Sequence, residues 1–265
     1  MAESTSKTSF KEWLFHQPEP LTDRKPQIDE FPERVIPRHS LQTRITHGTV
    51  AICCIWLAIS GLFVFVPQLA AAFPDVSRAM RVSHRVVGAI FILVPIISAI
   101  SAPRGFKAFL AKYLTKWTPE DKEFMKKFVP YMLAAKKVHM PDQDEVKSGQ
   151  RVADGVMILA GICIAVSGLV LWLGMSVFQV NPATEQVMRL IHDICFVVFI
   201  IFGLAHIYLG AGIYQPYKGT ARLMWRDGKV PESDALYHWG FWAREQIEEG
   251  NVQPESNAKS GKKEG

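Results

Sequence analysis

The chain has 265 residues, 49% of them apolar, with a mean hydropathy of +0.10 and a formal net charge of +5. That mean blends strongly apolar blocks with charged ends, so the blocks must be read one by one. No Cys-x-x-Cys-His occurs, so nothing supports covalent c-type haem attachment; Cys53, Cys54, Cys163 and Cys195 all fall in apolar blocks and read as small buried thiols rather than cluster ligands.

Residues 1–43 form a polar N-terminal extension with no apolar core and no small-residue cleavage site. No signal peptide is expected, and the first helix serves as its own insertion signal. Residues 45–74, 86–103, 155–184 and 194–217 lack Lys, Arg, Asp and Glu. A span needs about 20 mainly apolar residues. Four transmembrane helices are therefore expected, near 45–66, 84–102, 152–173 and 187–213. Pro95 implies a kink in the second.

In the middle connection, residues 106–115 and 124–138 set apolar residues at helical spacing among lysines. Thr118-Pro119-Glu120-Asp121 reads as a helix start with proline at the first helical position. Short amphipathic helices are expected there, on the inner membrane surface or against a partner; the basic character alone would also suit an anionic inner leaflet. After Lys218 come Trp225, Tyr237, Trp239 and Trp242, and residues 246–265 read as a disordered tail.

Lys and Arg crowd the first 44 residues, the connection 103–151 and the tail from Lys218. The first short connection holds Arg78 and Arg81, and the connection 174–187 holds no Lys or Arg. Positive residues favour the cytoplasmic side. Both termini and the middle connection are thus expected inside, and the two short connections outside.

Of eight histidines, His16, His39, His139 and His238 fall in polar segments and read as surface residues. His47, His84, His192 and His206 lie in or at the ends of expected spans. His192 and His206 are fourteen residues apart. On a helix that is a rise of about 21 Å and just under four turns, so both share a face at two depths. Ionisable groups in a span are costly and mark function. The topology sets His47 and His206 near the inner surface, and His84 and His192 near the outer. Each depth-matched pair can fill both axial positions of one haem between two helices. Bis-histidine ligation leaves iron no open site and favours electron transfer. Zinc suits the pattern less well, because two histidines per depth do not complete four ligands. Gly88, Gly161, Gly168, Gly203 and Gly210 offer a flat macrocycle close approach to a helix, although helix packing explains such residues equally well. Arg44, Arg85 and Arg189 stand at membrane edges where propionates need cations, as ordinary interfacial arginines also do.

At these residues the chain resembles the cytochrome b (gamma) subunit of respiratory membrane-bound formate dehydrogenases, within the wider diheme cytochrome b quinone oxidoreductase group. The resemblance rests on residues 44–67, MRVSHRVVGAIF at 80–91, residues 148–172, LIHDICFVVFIIFGLAHIYLGAG at 190–212, and DGKV at 227–230. It implies an all-α membrane protein, a four-helix bundle over residues 44–245 holding two b haems, with His84 and His192 on the outer and His47 and His206 on the inner. It further implies a complex in the bacterial inner membrane. A molybdenum- or tungsten-pterin (alpha) subunit would oxidise formate, and an iron–sulfur (beta) subunit would pass electrons through both haems to menaquinone or ubiquinone at the inner side. In the family an Asn-Ala-Gly-Gln run beside the inner haem binds quinone. Here it reads Lys147-Ser148-Gly149-Gln150; Gly149 and Gln150 match, the asparagine is absent, and the Ser148 hydroxyl can bond a quinone carbonyl. Ser148, Gly149, Gln150 and His206 are the expected quinone site. Asp154, one turn on, is a candidate proton relay or an interfacial carboxylate paired with Arg151 or a lysine. A higher oligomer of the complex is compatible with this reading, and no nucleic-acid partner is expected. The alternatives are a cytochrome b for a hydrogenase or a thiosulfate or polysulfide reductase, and a haem-free membrane anchor or transporter. Against transport, no charge pairs lie mid-membrane and no inverted repeat is apparent.

Overall fold

A computed structural model describes residues 34–134, 137–212 and 220–254. Along the chain these residues form β1 (Arg34–Pro37), α1 (Leu41–Phe65), α2 (Pro67–Ala72), α3 (Pro74–Ser101), α4 (Pro103–Leu114), α5 (Pro119–Leu133) and α6 (Ser148–Leu173). A π-helical turn (Gly174–Phe178) follows, then α7 (Pro182–Gly210), α8 (Arg222–Trp225), β2 (Lys229–Pro231), α9 (Glu232–His238), α10 (Gly240–Glu248) and β3 (Gln253–Pro254).

Four of these helices, α1, α3, α6 and α7, are long and apolar enough to cross a membrane. They answer the four expected spans and extend them by a turn or more at their N-termini. Polar caps explain where two of them begin. The Ser40 hydroxyl accepts from the Thr43 N–H ahead of α1, and Asn181 accepts from the Thr184 N–H ahead of α7. Pro74 and Pro182 open α3 and α7, where a missing N–H costs nothing. Pro95 lies inside α3, which continues past it to Ser101. Large apolar side chains such as Ile97, Ile100, Leu159 and Ile201 face outward, the arrangement that lipid rewards.

The described residues fall into two compact units. One comprises residues 39–113 and 152–228 and holds the spans. Its first two spans are tied by polar side chains. Gln42 donates to Ser101 at 2.9 Å, Thr46 donates to Ser98 at 3.0 Å, and the Trp56 indole donates to Ser83 at 3.2 Å. Within helices of this kind such bonds are worth roughly 0.6 kcal/mol each.

The other unit takes in residues up to 38, 114–151, and those from 229. Its sheet runs β2-β1-β3, antiparallel, with Ile36 opposite Val230 and Val35 opposite Gln253. Val35 and Ile36 are buried, with Phe124, Val138, Ala235, Trp239 and Trp242. The Arg38 guanidinium lies 3.8 Å from the Trp239 ring centre, a cation–π contact. The helix start at Thr118 is a full capping box: Thr118 accepts from the Asp121 N–H, and Asp121 accepts from the Thr118 N–H.

Three readings change here. Strands of four residues or fewer are too short for alternation to show in sequence, so the sheet was not foreseen. The tail expected to be disordered from 246 instead carries the end of α10 and β3, because Gln253 pairs with Val35; residues 255–265 and 1–33, with His16, lie outside the described residues. His238 is buried rather than on the surface, set between Tyr237 and Trp239 with the Lys147 ammonium 3.0 Å from its Nδ1.

Candidate functional site

The spans bring the four histidines together as two pairs. His84 on α3 and His192 on α7 have ring centroids 6.4 Å apart. His47 on α1 and His206 on α7 have centroids 6.1 Å apart. With a metal–imidazole bond of about 2.0 Å, two axial rings across one iron would have centroids roughly 6.3 Å apart. Both separations fit that requirement. Among the described residues no three His, Cys, Asp or Glu side chains converge as a metal site, so the donor set suits a metal that brings its own equatorial ligands.

Each pair has its own surroundings. The Ser60 hydroxyl lies 2.9 Å from His84 Nδ1, and the Ser167 hydroxyl lies 3.0 Å from His192 Nδ1. Both serines are buried. The next residues are glycines, and their bareness matters. A Cβ on Gly61 would stand 3.4 Å from His84 Cε1, and one on Gly168 only 3.0 Å from His192 Cε1. At the other pair, His206 Nδ1 lies 3.3 Å from Asp154 Oδ1, and the Tyr113 hydroxyl donates to Asp154 Oδ2 at 2.8 Å. Asp154 thus contacts a candidate ligand. Nδ1 of His47 is buried with no hydrogen-bond partner, while the Trp225 ring meets the imidazole edge-on at 6.1 Å. Buried polar atoms are rarely left so, and an orphaned imidazole nitrogen fits a site completed by a bound group. Beside His206, half-buried Gly203 has no atom within 4 Å of where a Cβ would stand, so a flat group has room there. The residues present therefore fit haem.

The residues at membrane edges are occupied in different ways. Arg44 donates to the Arg226 carbonyl, Arg189 pairs with Glu185 at 2.6 Å one turn away, and Arg85 is exposed.

Of the expected quinone residues, Ser148, Gly149 and Gln150 form the first turn of α6. Ser148 is fully buried; its hydroxyl donates to Asp121 Oδ1 at 2.7 Å, with Gln143 Oε1 also at 2.7 Å, and its N–H donates to Gln143 Oε1. A hydroxyl has one proton, so Ser148 has none left over for a quinone carbonyl in this arrangement. Gly149 is bare because a Cβ would lie 3.2 Å from Phe124. Gln150 is exposed. Asp121 anchors this turn. Burial pushes its carboxyl up, but the bonds from Ser148 and Thr118 and the Arg151 guanidinium at 3.1 Å outweigh burial and hold it below the usual range.

Sequence reasoning missed Ser60, Ser167 and the Asp154–His206 contact. A signal for the serines was present: Ile59-Ser60-Gly61-Leu62 recurs as Val166-Ser167-Gly168-Leu169. A family model described as prokaryotic cytochrome b561 matches residues 38–243. No curated protein matches the chain.

Proposed function

The chain belongs to the prokaryotic cytochrome b561 family, whose members are b-haem membrane electron-transfer subunits, and on that premise we propose that it is the diheme subunit of a formate dehydrogenase complex delivering electrons to membrane quinone. The observation that carries the proposal is the pairing of His84 with His192 and His47 with His206 at separations suited to two axial imidazoles. His84 and His192 would hold one haem, and His47 and His206 the other. When bound, the haems supply reversible one-electron transfer between a donor outside and quinone at the inner surface.

The protein's own residues do the rest. The histidines would hold the haem irons and leave no place on the metal for O₂ or substrate. Asp154 and Tyr113 orient His206 from behind. For quinone, the proposal leans on Gln150 as the exposed polar group of the matched run, with His206 and Gly149 beside it in the family's scheme; Ser148 enters as the residue that fixes the turn through Asp121. Asp154 relays protons to the quinone as it is reduced in this scheme. The distribution of Lys and Arg supports cytoplasmic termini, and formate oxidised outside would then conserve energy. An iron–sulfur subunit and a pterin subunit are the partners proposed. The choice of formate rests on the stretches 148–172 and 227–230.

The deciding experiment is a reduced-minus-oxidised spectrum of the purified complex with haem quantitation as pyridine haemochrome, using formate, hydrogen and dithionite in turn. Two b haems per chain reduced by formate are expected. Two haems reduced by hydrogen or dithionite but not by formate would replace formate dehydrogenase with another partner. An intact complex without haem would overturn the reading.

A further inference from the structure

The chain contains a direct repeat. Arg44, His47-Gly48 and Ser60-Gly61-Leu62 recur at identical spacing as Arg151, Asp154-Gly155 and Ser167-Gly168-Leu169. Pro74, Met80-Arg81 and His84 recur likewise as Pro182, Met188-Arg189 and His192. The α1–α3 pair is thus repeated by α6–α7 in the same order, not inverted. The structure gives the repeat a chemical meaning. Within each half, a serine on the first span meets a histidine on the second: Ser60 with His84, and Ser167 with His192.

The direction of these two bonds follows from counting protons. The Ser60 hydroxyl donates to the Trp56 carbonyl at 2.8 Å, and the Ser167 hydroxyl donates to the Cys163 carbonyl at 2.6 Å, each one turn back along its own helix. A serine has one hydroxyl proton, and here it is used. Towards imidazole each oxygen can therefore only accept. The Leu57 and Ile164 backbone carbonyls, which can only accept, also bond these imidazoles, so the surroundings favour a proton on Nδ1 of His84 and His192 and leave Nε2 unprotonated. In the alternative tautomer each hydroxyl would have to leave its helix carbonyl to donate to Nδ1.

We propose that Ser60 and Ser167 are positioning residues that fix the Nδ1–H tautomer of His84 and His192 and so present Nε2 of both to one haem iron. The proposal rests on the haem-ligand reading of those histidines. Because His84 and His192 form one pair, the two serines would act on the same haem. An acceptor on Nδ1–H makes the imidazole a stronger donor to iron and favours the oxidised state. The other level has diverged. Asp154 stands where the first half has His47, and His206 where it has Ser98, so there a carboxylate oxygen stands 3.3 Å from Nδ1 of one ligand.

The test uses the complete complex carrying Ser60→Ala, Ser167→Ala, or both, read by haem content and by equilibrium redox titration of the b-haem band. Two haems should remain. One of the two titration components should move to higher potential in each single variant and further in the double, while the other stays in place. Asp154→Asn should move the component the serine variants leave alone. Full haem content with both components unmoved in all serine variants would overturn the proposal. If an alanine variant loses haem, Ser60→Thr and Ser167→Thr carry the test: one haem missing with alanine but present with threonine supports the role, and loss with both overturns it. A haem-free wild-type complex would instead overturn the haem reading itself.

Discussion

Gly61 and Gly168 show how much single atoms decide in this bundle. The space a methyl would take is held by imidazole edges, at 3.4 Å for Gly61 and 3.0 Å for Gly168. Gly168→Ala should therefore push His192 off its serine and lower haem content, and Gly61→Ala should do less; pyridine haemochrome on both variants checks the order. His206→Leu should reduce the haem content by half and take quinone reduction to background, with dye-linked formate oxidation kept. Retention of both haems would remove His206 from the ligand set. Lys147 makes a different kind of point. It is buried beside His238, and burial first, then the Arg38 charge, pulls its ammonium down to about 7. The unfolded chain binds a proton there up to about 10.5, its ordinary value. Between those two values the unfolded state holds more protons, so this group's contribution to stability improves as pH rises and is worst below about 7. Lys147→Met should raise the thermal midpoint at pH 6 and flatten its rise towards pH 10, as followed by thermal unfolding in detergent.

At the scale of elements, the connections obey local rules as strict as those of the spans. The capping box at Thr118 closes two orphan N–H groups of α5. Thr118→Ala should cost about 1 kcal/mol, read as faster amide exchange through the first turn of that helix. Asp121 ties the same helix to the start of α6. Its carboxyl lies below the usual range in the fold, so its contribution is present above about 3.8 and is lost as pH falls through the folded value. Gly228 precedes β2 with φ of +76°, and a Cβ there would lie 2.3 Å from the His39 carbonyl oxygen. Any side chain would both strain the backbone and strike that oxygen. Gly228→Ala should cost about 1–3 kcal/mol, visible as a lower thermal midpoint. This residue belongs to the DGKV stretch on which the family resemblance partly rests, and its bareness has a steric reason independent of a partner subunit.

At the scale of the whole chain, the four spans and the family match define a multi-pass membrane electron-transfer subunit. Its direct repeat explains the histidines of one pair only. His84 and His192 are repeat mates, whereas His47 and His206 are not. The proposed orientation predicts that reporter enzymes active only in the cytoplasm will work when fused after residue 254, and that those active only outside will work when inserted after Gln179, between the third and fourth spans. The opposite result would invert the inner and outer assignment of the two pairs.

The sequence by itself determined the spans, their order and the positions of the four histidines along them. A helix in lipid must satisfy its own backbone, so hydropathy and helical rise suffice to place them. Tertiary structure alone decided which atom each imidazole nitrogen meets. Ser60 and His84 sit on different helices, as do Asp154 and His206, and the rotation of one helix against another is not written in either one's periodicity. It also decided that Ser148 turns inward to Asp121 and that His238 is buried, because both depend on contacts between segments far apart in the chain. The small sheet belongs to the same class, since strands that short exist only through their partners.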